Sequence, residues 1–194
     1  MRNTLMLGVA ALAVTFATSA AADRPNLKGT YGFTGSQGCL VSLLGFTRTL
    51  SAIDGRDFSD SGLVEGIRVF NGDGTGTITG TSMTIAGPPT PGFQPDASSN
   101  IFTISFTYTV NPDGTWTSSN VPGTDRGTIL TGGRAGQTFS RENAPTATGL
   151  ISDDGKTLTS ATLTPQVEIV TFSNGDVHPQ ICHRSRVYIK LSDD

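Results

Sequence analysis

Ser173 to Leu191 reads SNGDVHPQICHRSRVYIKL and gathers more chemistry-bearing residue types than any other stretch of the chain. Both histidines, His178 and His183, stand in it, with Cys182, Arg184 and Arg186. From Cys182 onward the side chains alternate, so the segment reads as a strand with two faces. Cys182, Arg184, Arg186, Tyr188 and Lys190 form one row; His183, Ser185, Val187, Ile189 and Leu191 form the other. The second row grades from polar to aliphatic, as expected of a strand running from an open mouth to a packed floor. It is therefore the row expected to be buried.

The beginning of the chain reads as an export signal over residues 1–22. Arg2 supplies the positive end, Leu5 to Ala17 is apolar, and Ala20-Ala21-Ala22 offers small residues for cleavage. The apolar run is too short to cross a bilayer as a helix, and no later run is longer, so no integral membrane segment is expected after cleavage. Residues 23–194 then form one domain, secreted or periplasmic. The whole chain carries a formal charge of −3, and losing Arg2 makes the remainder more acidic. That balance argues against a nucleic-acid or anionic-membrane partner. The two cysteines, Cys39 and Cys182, are expected to form a disulfide in an oxidising compartment. The competing reading is two separate thiols, with Cys182 beside His183; strand neighbours pointing to opposite faces weigh against it.

With 24 Gly, 10 Pro and abundant Thr, the composition favours strands and tight turns. Gly29 to Thr34 reads as a first strand, broken by Gly35-Ser36-Gln37-Gly38 and followed by a short apolar strand from Cys39 to Phe46. Thr47 to Gly62 is polar and reads as a long loop. Leu63, Glu65, Ile67 and Val69 then share one face, where Glu65 needs a partner, water or a proton, unless a register break at Gly66 turns it outward. Asn71-Gly72-Asp73-Gly74 is a hairpin signal. Gly87 to Asn100 holds four prolines and reads as a second loop, with Phe93 as a plug over a cavity. Phe102, Ile104, Phe106, Tyr108 and Val110 mark the clearest half-buried strand, and Asn111-Pro112-Asp113-Gly114 turns it towards Trp116. Short strands punctuated by Gly follow. The expected fold is all-β: an antiparallel up-and-down β-barrel of about 8–10 strands whose ends are stapled by Cys39 and Cys182, with a β-sandwich as the alternative.

No Gly-x-Ser-x-Gly elbow occurs, and two histidines without a third strong ligand do not make a zinc site. Asn71, Asp73 and Thr75 open like a calcium loop, but Ser82 stands where the closing Glu should be. No metal or cofactor is expected, and no catalytic residue is assigned. The ligand-binding candidates are Glu65, Tyr108, Trp116, His183 and Ser185, lining a mouth above Phe102, Ile104, Phe106, Val187 and Ile189. Such a chamber suits a small hydrophobic molecule with one polar end. Two other readings stand beside it. Glu65 facing His183 across the cavity would support a cofactor-free isomerase or cyclase. An envelope or matrix protein acting by adhesion or assembly would suit the Thr-rich strands and low charge.

GTYGFTGSQGCL (29–40), VFNGDGTGTITG (69–80) and NGDVHPQICHRSRVYI (174–189) resemble segments of small exported bacterial β-barrel proteins. Their plan is similar to the allene-oxide-cyclase and dirigent barrels and, more distantly, to lipocalins. The resemblance implies a barrel with an apolar interior and a small hydrophobic ligand. The lipocalin Gly-x-Trp opening is replaced here by Gly29-Thr30-Tyr31.

Overall fold

The computed structural model describes residues 27–53, 57–87 and 96–193. The expected signal at 1–22 and the Phe93 plug lie outside these residues. Among the described residues there is no helix, and eleven antiparallel strands belong to one sheet. Five are long: β1 (Lys28–Ser42), β2 (Asp57–Asn71), β3 (Thr75–Ala86), β4 (Asp96–Val110) and β11 (Val177–Ser192). Six are short: β5 (Thr115–Asn120), β6 (Arg126–Ile129), β7 (Thr138–Glu142), β8 (Ala147–Leu150), β9 (Thr157–Ala161) and β10 (Val167–Phe172).

The long strands pair in the order β11-β1-β2-β3-β4 and make one continuous wall. A fifteen-residue strand spans roughly 50 Å and a five-residue strand roughly 17 Å, so one short strand cannot complete that wall. Two three-stranded ribbons do so, end to end. β5-β8-β9 joins Phe106–Val110 of β4 to Ser185–Ile189 of β11, while β6-β7-β10 joins Asn100–Thr103 to Val177–Ile181. Each ribbon closes a ring of eight strands with the five long ones. The expected simple meander is thus corrected beyond β5, where the chain shuttles between ribbons.

The ends of the ring meet as the cysteine spacing predicts. Cys39 and Cys182 are direct partners in the β1–β11 pairing and are disulfide-bonded, closing a loop of 143 residues.

The readings of Gly35 to Gly38 and of Gly66 change. Gly35 to Gly38 does not break β1, which runs unbroken from Lys28 to Ser42. A Cβ at Gly35 would lie 2.0 Å from the Ser185 carbonyl and 2.7 Å from the Arg186 side chain, so the missing side chain gives Arg186 its path across the sheet. Gly66, Gly80 and Gly127 are consecutive cross-strand neighbours of Phe33, Phe102 and Phe139, whose ring edges lie 3.0, 2.7 and 2.5 Å from where a Cβ would stand. Aromatic rings therefore fill the places of side chains these strands lack. The Asn71–Gly74 turn forms as expected, with positive φ at Gly72 and Gly74.

The predicted buried faces of β2 and β11 are reversed. On β2 the inner row is Phe58, Asp60, Gly62, Val64, Gly66, Arg68 and Phe70, and the β1–β2 register shifts nowhere, so Glu65 points outward without a break at Gly66. On β11 the inner row is Gln180, Cys182, Arg184, Arg186 and Tyr188. Val187, Ile189 and Leu191 face out, joined on the outer surface by Leu63, Met83 and Ile101, with Leu191 61% exposed. The disulfide sets this parity, because Cys182 turns inward to meet Cys39 and every second residue follows it.

Candidate functional site

The interior is layered. Its floor is aromatic: Tyr31, Phe70, Phe106, Tyr108, Trp116 and Tyr188 pack with Leu158, and Phe70 meets Tyr31, Phe106, Tyr108 and Trp116 edge-to-face at 5.0–5.8 Å. The polar atoms of Trp116, Tyr31 and Tyr108 are spent on the backbone. Trp116 Nε1 donates to the Thr159 carbonyl (3.0 Å), Tyr31 Oη to Gly155 (2.7 Å) and Tyr108 Oη to Leu27. Burial pushes the Tyr31 and Tyr108 hydroxyls above the usual tyrosine range.

Above the floor lies a layer of charge. Arg68 is 3% exposed, and its guanidinium carbon sits 3.8 Å from the Phe106 ring centroid and 4.9 Å from that of Trp116. It donates to two hydroxyls, Tyr188 Oη and Ser118 Oγ, while its Nε has no hydrogen-bond partner. Higher still, Glu168 is wholly buried and accepts from Gln180 (2.7 Å) and Arg184, with Arg141 Nε 3.9 Å away. Burial pushes its carboxyl up, but Arg184 and Arg141 outweigh burial and hold it below the usual range. Arg141 also pairs with Asp125 at 3.2 Å.

The open end is a chamber of about 580 Å³. Val41, Phe58, Ile129, Phe139, Val170 and Phe172 give it apolar walls; Gln37, Asn100, Arg141 and Gln180 lie among its polar lining. Asp60, Asp96, Arg134 and His178 also line it. Asp60 is raised to about 6 by burial, against the pull of Arg184 and Arg141, and its Oδ1 has no partner. His178 is lowered to about 4 by burial and by Arg134, so it is a neutral imidazole at pH 7. Its Nε2 lies 3.2 Å from Arg134 Nη2, and its ring stands edge-on to Phe172 at 5.0 Å. Because the arginine can only donate, Nε2 accepts and the proton sits on Nδ1. Arg134 in turn pairs with Asp176 at 3.0 Å.

Of the five predicted ligand-binding residues, Tyr108 and Trp116 face the interior, but in the packed floor rather than at the mouth. Glu65, His183 and Ser185 stand on the outer face, all exposed; the His183 ring covers Gly38 and Ser185 bonds Ser36. Glu65 and His183 therefore do not meet across the interior. Sequence reasoning missed Arg68, Asp60, Arg141 and His178 as inner residues. The parity of the disulfide strand was the available signal, since Arg184 and Arg186 share the face of Cys182.

A broader concavity of about 1400 Å³ lies on the outer face, along the glycine row and bordered by Ile67, Ile101 and Ile189. It is the larger and has Glu65, Arg126 and several threonines in its lining, but it is the more open of the two, so the mouth chamber is the better-formed site. Cys39, Cys182 and Glu168 offer ligand atoms close together, but both sulfurs are bonded to each other and bind no metal. No protein-family model, curated protein or solved structure matches this chain.

Proposed function

We propose that this protein is an exported binder of small amphipathic molecules, which enter the mouth chamber with their apolar part against Phe58, Phe139 and Phe172 and their polar end towards Gln37, Asn100 and Arg141. The observation that carries the reading is the combination of an apolar wall with a polar, arginine-bearing lining in about 580 Å³, a size suited to one small molecule. The disulfide and the signal-like residues 1–22 support a secreted or periplasmic location. The sequence resemblance to allene-oxide-cyclase and dirigent barrels, which implies a small hydrophobic ligand, is in keeping with this reading.

Adhesion or assembly by strand addition is less favoured. Each long strand is paired on both sides, so the ring leaves none of them with an open edge among the described residues. A cofactor-free isomerase built on Glu65 and His183 lacks its geometry, as both residues face away from the interior.

The test is native mass spectrometry of protein purified from its own exported fraction. A co-purifying small molecule released on denaturation supports the reading. Protein that carries nothing, and that binds neither medium-chain fatty acids nor aromatic acids afterwards, removes it.

A further inference from the structure

Beneath the mouth chamber lies a second, inner cavity of about 120 Å³, bounded by Arg68, Arg184, Arg186, Ser118, Ser160 and Tyr188. The charges around it do not balance. Arg141 and Arg184 are matched by Asp125 and Glu168. Arg68 and Arg186 have no carboxylate partner among the described residues. Arg68 spends its donors on two hydroxyls and keeps a buried, unpartnered Nε. Arg186 donates to the Ser36 and Ser185 carbonyls, and the like charges of Arg184 and Arg141 act on it. Burial, then those two like charges, push its guanidinium down to about 10. Aromatic faces around Arg68 offset only part of the loss of water around a guanidinium, and an arginine cannot relieve the deficit by giving up its proton.

We propose that this inner cavity binds a compact oxyanion, a small carboxylate or a phosphate, between Arg68 and Arg186. At roughly 30 Å³ per water, the volume holds about four waters, enough for acetate or phosphate and too little for an alkyl chain. The hydroxyls of Ser118, Ser160 and Tyr188 are placed to share hydrogen bonds with its oxygens. Gln37, Ser82, Asn100 and Arg141 line both this cavity and the mouth chamber, so the two spaces adjoin and an anion has a route from the open end. The site is separate from the mouth chamber and does not depend on what binds there.

Trp116 is the only tryptophan and lies against Arg68, so it reports on the site. Its emission and the unfolding temperature are followed in purified protein titrated with sodium acetate, phosphate, octanoate or chloride, each replacing sodium gluconate at constant ionic strength. Acetate or phosphate is expected to change both signals saturably in the millimolar range, and the stronger of the two names the oxyanion. Octanoate should leave Trp116 emission unchanged. Arg186→Gln should weaken the response roughly tenfold or more, and Arg68→Met should abolish it. If Arg68→Met does not fold, Arg186→Gln alone decides. A response equal in chloride, an unchanged response in Arg186→Gln, or a flat wild type overturns the proposal. A response to octanoate alone also overturns it, because it places the anion in the mouth.

Discussion

Cys39 and Cys182 sit directly opposite each other where the first and last strands pair, and their bond fixes which face of each strand looks inward. Closing a loop of 143 residues removes chain entropy worth about 5 kcal/mol in the chain-entropy model, and measured values often fall below it. The paired substitution Cys39→Ser with Cys182→Ser should lower unfolding free energy by about 3–5 kcal/mol in denaturant titrations. A loss below about 1 kcal/mol would show that strand pairing alone holds the seam.

Asp60 and His178 face the same chamber and tilt the pH dependence of stability in opposite directions. Asp60 ionises at about 6 when folded, against 3.8 for an ordinary aspartate, so the folded form holds its proton longer and stability falls as pH rises from about 4 to 6. A folded carboxyl that ionises about two pH units late costs about 3 kcal/mol once both states are ionised. His178 titrates at about 4 against 6.5, so the unfolded chain takes up its proton first and stability falls as pH drops from 6.5 towards 4. The two slopes should largely cancel in the wild type. Asp60→Asn should be the more stable protein at pH 7 and lose stability on acidification, whereas His178→Gln should gain stability over the same range. Equal slopes in both variants would contradict these assignments.

Glu168 is held by Arg184 and Gln180 with no exposure to water. Removing its charge leaves buried guanidinium groups short of a partner, and Glu168→Gln should cost about 3–5 kcal/mol at pH 7. The double substitution Glu168→Leu with Arg184→Met should cost clearly less than Glu168→Gln, because the unmatched charge goes too. Additive losses would mean the two groups do not interact.

The glycine row is similarly sharp. A Cβ at Gly66 would lie 2.2 Å from the Thr79 carbonyl and 3.0 Å from the Phe33 ring. Gly66→Ala should destabilise by about 1–3 kcal/mol through overpacking. Gly123→Ala meets no atom within 4 Å but carries a positive φ, so it should be destabilising through backbone strain alone. If Phe33→Leu relieves part of the Gly66→Ala loss, the ring edge is the cause.

Much of this was legible in the sequence. Alternation located the strand of Phe106 and Tyr108, Asn71-Gly72-Asp73-Gly74 announced the hairpin between β2 and β3, and the two cysteines announced the seam. What misled was the rule that aliphatic residues lie inside. In β11 the aliphatic row of Val187, Ile189 and Leu191 is outside, because Arg184 and Arg186 are needed within and share the parity of Cys182. Gly35 read as a break, when its missing side chain makes room for Arg186. The grouping of Arg141, Glu168 and Arg184 could not be read at all, since two short ribbons bring them together and no local pattern foretells how such ribbons stack.

The most direct measurement is a fluorescence titration of N-phenylnaphthylamine, an apolar dye, into three forms of the protein: wild type, Ala86→Trp and the outer-face pair Glu65→Gln with His183→Ala. Ala86 lines the mouth chamber, so a tryptophan there occupies the space a ligand would take. Saturable binding by the wild type and the outer-face variant, lost in Ala86→Trp, is the expected result. Dye that binds Ala86→Trp as well as the wild type, or that leaves only when Glu65 and His183 are changed, would place the binding site on the outside of the ring and contradict an interior site.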